Sequence, residues 1–123
     1  MQHRSDDQPD DPDLIGVHPE LAPQSDEPVV QKRFGSAFFK TDLEKALRRI
    51  GAKTLYVCGL ATFGCVNATV MCAVCEGYDT IVVQDAHGAQ DFPDSSAKDV
   101  IAHFNAAWER AGAQLMSAKN VTY

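Results

Sequence analysis

The sequence predicts an α/β fold built on an open, parallel sheet with helices on both faces. Three observations carry this expectation. From residue 28 onward, short β-prone apolar runs alternate with stretches whose apolar residues recur at helical spacing. Thr41-Asp-Leu-Glu44 and Ser96-Ala-Lys-Asp99 have the form of capping boxes, which open helices. Each helical stretch then meets a glycine, Gly51, Gly77 or Gly112, where a helix can stop. Regular strand–helix alternation implies parallel pairing through right-handed crossovers.

The elements follow in order. Pro28-Val-Val-Gln-Lys32 is the first strand candidate. Leu43, Ala46, Leu47 and Ile50 then form one apolar stripe. Lys53 to Gly59 reads as a strand, and Cys65 to Glu76 as a buried helix, because it is apolar on nearly every face. Thr80 to Asp85 is another strand. Val100, Ile101, Phe104, Trp108 and Ala111 recur at helical spacing, and Gln114 to Met116, extended toward Tyr123, closes the sheet. In such sheets ligands bind beyond the carboxyl ends of the strands. Lys32-Arg33-Phe34, Gly59 to Cys65 and Asp85-Ala-His87 are therefore expected to converge on one edge.

Length and composition bound the function. A chain of 123 residues is one small domain. At 45% hydrophobic and 23% charged it is neither a disordered tail nor a membrane protein, and no apolar run approaches the roughly 20 residues that span a bilayer. With no apolar N-terminal stretch, a cytoplasmic protein is expected. The net charge of −6 argues against a nucleic-acid binder working through a basic surface. Residues 1–27 read as an acidic, proline-rich lead-in, with Asp6, Asp7, Asp10, Asp11 and Asp13 among Pro and Gln rather than in a strand. Residues 28–123 form the domain.

Four cysteines lie at 58, 65, 72 and 75. Cys72-Ala-Val-Cys75 lacks the second pair of ligands that would specify zinc, and sits inside an apolar stretch rather than at a redox turn. Both are expected to be small buried residues; a thiol redox protein using Cys65 or this pair is a weaker reading. Gly59-Leu-Ala-Thr-Phe-Gly64 has the glycine spacing of a phosphate loop, but Cys65 stands where the phosphate-holding lysine belongs, so nucleotide binding is excluded. What remains is a cysteine at the mouth of a helix. Orphan N–H groups and the helix dipole favour an anion there. A free thiol has a pKa of about 8.5, which such a site together with an ammonium lowers to roughly 3.5–7.5. On spacing alone, Cys65 fits an activated or an inert thiol, and Lys32 fits its cation or a solvated surface lysine.

Together these residues carry a resemblance. Val30-Gln-Lys32-x-x-x-Ser36-Ala-Phe38, Thr41-Asp-Leu43, Gly59-Leu-Ala-Thr62-x-x-Cys65-Val66-x-x-Thr69, Gly77-Tyr78 and Val82-Val-x-Asp85-Ala86 resemble the isochorismatase-like cysteine hydrolases, a superfamily that includes nicotinamidases, N-carbamoylsarcosine amidases and streptothricin hydrolases. The resemblance runs from about Val17 to the C-terminus. It implies a Rossmann-like sheet and an Asp-Lys-Cys triad, with Cys65 as nucleophile and Lys32 as the cation or acid–base relay. It also implies a cis peptide between Leu60 and Ala61, which aims the Ala61 N–H, with that of Cys65, at a developing oxyanion. Phe38 and Phe34 would line the substrate pocket, although core packing is the other reading of both. A retained cysteine favours hydrolysis of an amide-type C–N bond in a small molecule through a thioester.

The family's first-strand aspartate has no counterpart here, and Met1-Gln-His3-Arg-Ser5 resembles the end of its second strand. The chain is therefore expected to be N-terminally truncated relative to the family, with Lys32 and Cys65 separated unless the gap closes. Asp85 or His87 could stand in as base, though Asp85 also reads as a structural turn aspartate and His87 as an exposed loop residue. No metal site and no cofactor are expected. Self-association is common in the resembled family. The alternative reading is a catalytically inactive homologue acting as an interaction subunit.

Overall fold

The computed structural model describes residues 1–3 and 18–122. The acidic run from Asp6 to Asp13 lies outside the described residues, as does Tyr123. Five strands run in chain order, β1 (Gln2–His3), β2 (Gln31–Lys32), β3 (Thr54–Leu60), β4 (Asp79–Gly88) and β5 (Gln114–Met116), with helices α1 (Leu43–Arg49), α2 (Asn67–Cys75) and α3 (Ala97–Ala111). Among the described residues, pairing between these strands is all parallel, but the strands form two sheets rather than one. β1 pairs with β2, with His3 opposite Lys32, and the second sheet has the order β3-β4-β5. Among the described residues, no strand hydrogen-bonds to the outer edge of β3.

The first strand is shorter than its sequence suggests. Pro28 has no N–H to give, and β1 offers only Gln2 and His3 as partners. The last strand stops at Met116, and the chain turns into a 3₁₀ turn at Ala118–Asn120 instead of extending toward Tyr123.

The two capping sequences behave differently. Ser96 caps α3 as expected: its Oγ accepts from the Asp99 N–H at 3.2 Å and donates to the Asp99 carboxylate at 2.6 Å. At α1 the reciprocal arm is not made. Thr41 Oγ1 accepts from the Leu43 N–H at 3.2 Å, but Glu44 pairs forward with Arg48 rather than reaching back. Glycines stop all three helices in the left-handed region, at φ +66° for Gly51, +83° for Gly77 and +106° for Gly112.

The core lies where α2 and α3 pack together against β4. Val66, Val70, Val82, Trp108 and Ala113 are buried in one cluster, with Val57, Val74, Phe104 and Leu115 against it. Trp108 is fully enclosed, and its indole N–H is satisfied by Asn67 Oδ1 at 3.0 Å. Trp108→Ala should therefore cost about 3–5 kcal/mol, whereas Ser96→Ala should cost only about 1 kcal/mol. Urea denaturation followed by circular dichroism checks both, and comparable losses would contradict this placement of the core.

Candidate active site

The site grows from an interruption in the β3–β4 ladder. Pairing is regular from Thr54 opposite Asp79 to Val57 opposite Val82, and then resumes with Gly59 opposite His87. Three extra residues on β4, Gln84 to Ala86, bulge outward and are exposed. β3 ends at the same place in a turn that few residues can enter. Gly59 has φ +123°, a conformation L side chains rarely adopt, and the peptide that joins Leu60 to Ala61 is cis.

After Ala61 the chain enters a π-turn over Thr62–Val66, closed by a hydrogen bond from the Val66 N–H to the Ala61 carbonyl at 3.2 Å. Gly64, at φ −110° and ψ −106°, is non-helical inside it. Cys65 thus sits within a kinked turn, and regular α-helix begins only at Asn67. This corrects the expectation of a helix opening at Cys65: Gly64 breaks the helical run ahead of it.

Lys32 is buried at the end of β2, 7% exposed. A buried ammonium is stable only when hydrogen-bonded. Lys32 Nζ donates to the Phe34 carbonyl at 2.9 Å and the Gly35 carbonyl at 3.2 Å, so the following loop folds around it. That loop is tied to α2. The Ala37 N–H donates to Thr69 Oγ1 at 3.0 Å, and Ser36 Oγ to Cys72 Sγ at 3.1 Å. Thr69 and Cys72 are three residues apart and share one face of α2, so that face receives the loop that follows Lys32. Lys32 and Cys65 line one cavity of about 410 Å³, with Phe38, Leu47, Val57 and Leu60 among its walls.

The remaining candidates divide. Phe38 lines this cavity and its ring lies 5.9 Å from that of Tyr78. Phe34 does not line it. It is 46% exposed and packs edge-on against Phe39, with Lys40 Nζ over both rings. Asp85 is also turned away. Its carboxylate accepts from Ser117 Oγ and the Ala118 N–H, both at 2.7 Å, and so fastens the segment after β5.

His87 is buried rather than exposed, because the β4 bulge returns it to the core. Its ring nitrogens meet Thr62 Oγ1 at 2.9 Å and Asn105 Oδ1 at 3.0 Å. Cys75 is exposed and Cys72 only half-buried, which corrects their expected burial: Cys75 is the last residue of α2, and Cys72 takes the Ser36 hydroxyl. Among the described residues no cluster of three or more His, Cys, Asp or Glu is placed to hold a metal, and no helix is long and apolar enough to cross a membrane. Thr69, Ser36 and Asn105 were not singled out for any role by sequence; the three-residue spacing of Thr69 and Cys72 was the available signal for Thr69.

A parallel α/β sheet that presents a cysteine in an irregular turn and a buried lysine across one small cavity defines a candidate nucleophilic site. The chain belongs to the isochorismatase family: the model of the isochorismatase domain matches residues 1–119. It is 40% identical over 68 residues to the maleamate amidohydrolase of Pseudomonas putida, covering 55% of this chain and 32% of that protein. The crystal structure of a cysteine hydrolase from Pseudomonas syringae superposes with a TM-score of 0.80 at 34% identity, over 84% of this chain and 51% of that one. An isochorismatase from Pseudomonas putida superposes with a TM-score of 0.79 at 28% identity, over 85% and 56%. The chain spans less than half the length of curated relatives, among them the maleamate amidohydrolase.

The hydroxyl of Ser117, and then the Ala118 N–H, hold the Asp85 carboxyl below the usual carboxylate range. Its contribution to stability is therefore present above the unfolded value of about 3.9 and is lost as pH falls through the lower folded one. The stability gap between wild type and Asp85→Asn should be widest near neutrality and narrow below about pH 4. Thermal melts across that range check the direction; a gap that widens on acidification would contradict it.

Proposed function

We propose that this protein is a cytoplasmic cysteine hydrolase that cleaves an amide-type C–N bond of a small molecule. The observation that carries the reading is that Lys32, at the end of β2, and Cys65, in the turn after β3, line one cavity of about 410 Å³, a size that suits a small ligand. The similarity to the Pseudomonas putida maleamate amidohydrolase supports the reaction class.

In this reading the Cys65 thiolate attacks the carbonyl carbon. The Ala61 and Cys65 N–H groups receive the oxyanion, and such donors are commonly worth about 10²–10³-fold each. As the tetrahedral adduct collapses, the C–N bond breaks and a proton from the Lys32 ammonium passes to the departing nitrogen. The product left on the enzyme is a thioester. Lys32, now neutral, takes a proton from water, whose hydroxide cleaves the thioester to a carboxylic acid and restores the Cys65 thiolate; the acid then gives its proton to the released amine. Phe38 supplies the apolar wall against which the substrate lies.

The experiment is ammonia release from a panel of small primary amides and carbamoyl compounds. Cys65→Ala should abolish release, and Lys32→Met should lower kcat by about 10²–10⁴-fold while the protein stays folded. Release that survives Cys65→Ala would overturn the mechanism. A folded wild-type chain that hydrolyses none of the panel would support an inactive homologue instead. Iodoacetamide at neutral pH should also label half-buried Cys65 faster than exposed Cys58 and Cys75, the reverse of their order of exposure.

A further inference from the structure

We propose that His87 is a positioning residue which, with Asn105 and Trp108 of α3, braces the turn that presents Cys65. This rests on Cys65 being the nucleophile. The π-turn is held on both sides of the cysteine. Three residues before it, Thr62 is fully buried and its hydroxyl meets His87 Nδ1 at 2.9 Å. Two residues after it, Asn67 Oδ1 accepts from Trp108 Nε1 at 3.0 Å. His87 Nε2 in turn meets Asn105 Oδ1 at 3.0 Å, and the imidazole edge rests on the Trp108 ring with centroids 5.1 Å apart.

Asn105 and Trp108 are three residues apart on α3 and so share one helical face. That face thus reaches both flanks of Cys65, once through His87 and once directly. A core that needed only packing would place hydrocarbon here. Thr62, His87 and Trp108 are buried and Asn67 and Asn105 half-buried, so a lost partner on either asparagine leaves a buried His87 or Trp108 nitrogen unpaired.

The partners also fix the ring's proton. Asn105 Oδ1 can only accept, so Nε2 carries the hydrogen, Nδ1 is the bare nitrogen, and the Thr62 hydroxyl donates to it. The imidazole acts as a directional strut between α3 and the turn. It is not among the residues that line the cavity. Its effect on the reaction runs through the placement of Cys65, where a shift of about 1 Å can cost about 10²-fold.

Two measurements test this. Nitrogen NMR of the histidines should show His87 as the Nε2–H tautomer at neutral pH; an Nδ1–H ring overturns the brace. Peptide mass spectrometry should follow iodoacetamide labelling of Cys65, with exposed Cys75 as the internal reference. Thr62→Val and Asn105→Leu should lower the Cys65:Cys75 rate ratio by about fivefold or more, and Thr62→Ser, which keeps the hydroxyl, should restore it to within about twofold. An unchanged ratio in variants with wild-type circular dichroism overturns the proposal. Trp108→Phe, which removes the N–H given to Asn67 and keeps an aromatic ring, provides the same readout where the other variants do not fold. If wild-type Cys65 labels no faster than Cys75, the nucleophile reading falls and the brace falls with it. If wild-type Cys65 labels fast and the variants do not alter the ratio, only the brace falls.

Discussion

The hydrogen bond from the Ala37 N–H to Thr69 Oγ1, with its neighbour from Ser36 to Cys72, joins two parts of the molecule that no β-ladder among the described residues connects. Lys32 belongs to the β1–β2 sheet and Cys65 to the turn after β3. Their approach across one cavity follows from a loop lying on one helical face. A net contribution of about 1 kcal/mol per hydrogen bond is modest. Its leverage is geometric, because a short loop fixed at Ala37 leaves the buried Lys32 ammonium little room to move.

The second constraint is the irregular backbone between β3 and α2. A bulge in β4, a left-handed Gly59, a cis peptide and a π-turn occur within a few residues of one another. Regular structure would carry the chain straight from strand to helix and set the cysteine on an ordinary first turn. The interruption instead returns His87 to the core and sets Cys65 at a kink whose flanks are fixed from α3. The turn and the bulge are held by buried Thr62, His87 and Trp108 together with half-buried Asn105.

Most of the architecture was legible in the sequence. Helical spacing located α1 and α3, the Ser96 cap and Gly112 bounded α3 closely, and the apolar runs marked β3 and β4. The misread parts depend on non-local pairing. Whether Val29 and Val30 join a strand depends on a partner nearly 30 residues away, and the count of residues in the β4 bulge is set by its neighbour. Without the bulge count, His87 falls on the wrong side of the strand and reads as a loop residue. Asp85 also read as a structural turn aspartate, and that reading holds although it lies in the β4 bulge and not at a strand end. Phe34 and Phe38, four residues apart, share a residue type, and only the fold separates the one in the cavity wall from the one stacked on Phe39.

The outer edge of β3, which no strand among the described residues covers, shapes how this region meets solvent. Successive peptide groups along a strand point to opposite sides, so alternate amides of β3 bond to β4 while the others face the cavity that Leu55 to Leu60 line. β4 is flanked on both sides and β3 on one. Deuterium from heavy water should therefore enter β3 at every other amide and reach the centre of β4 last, which makes the strand leading to Cys65 half-protected along its whole length.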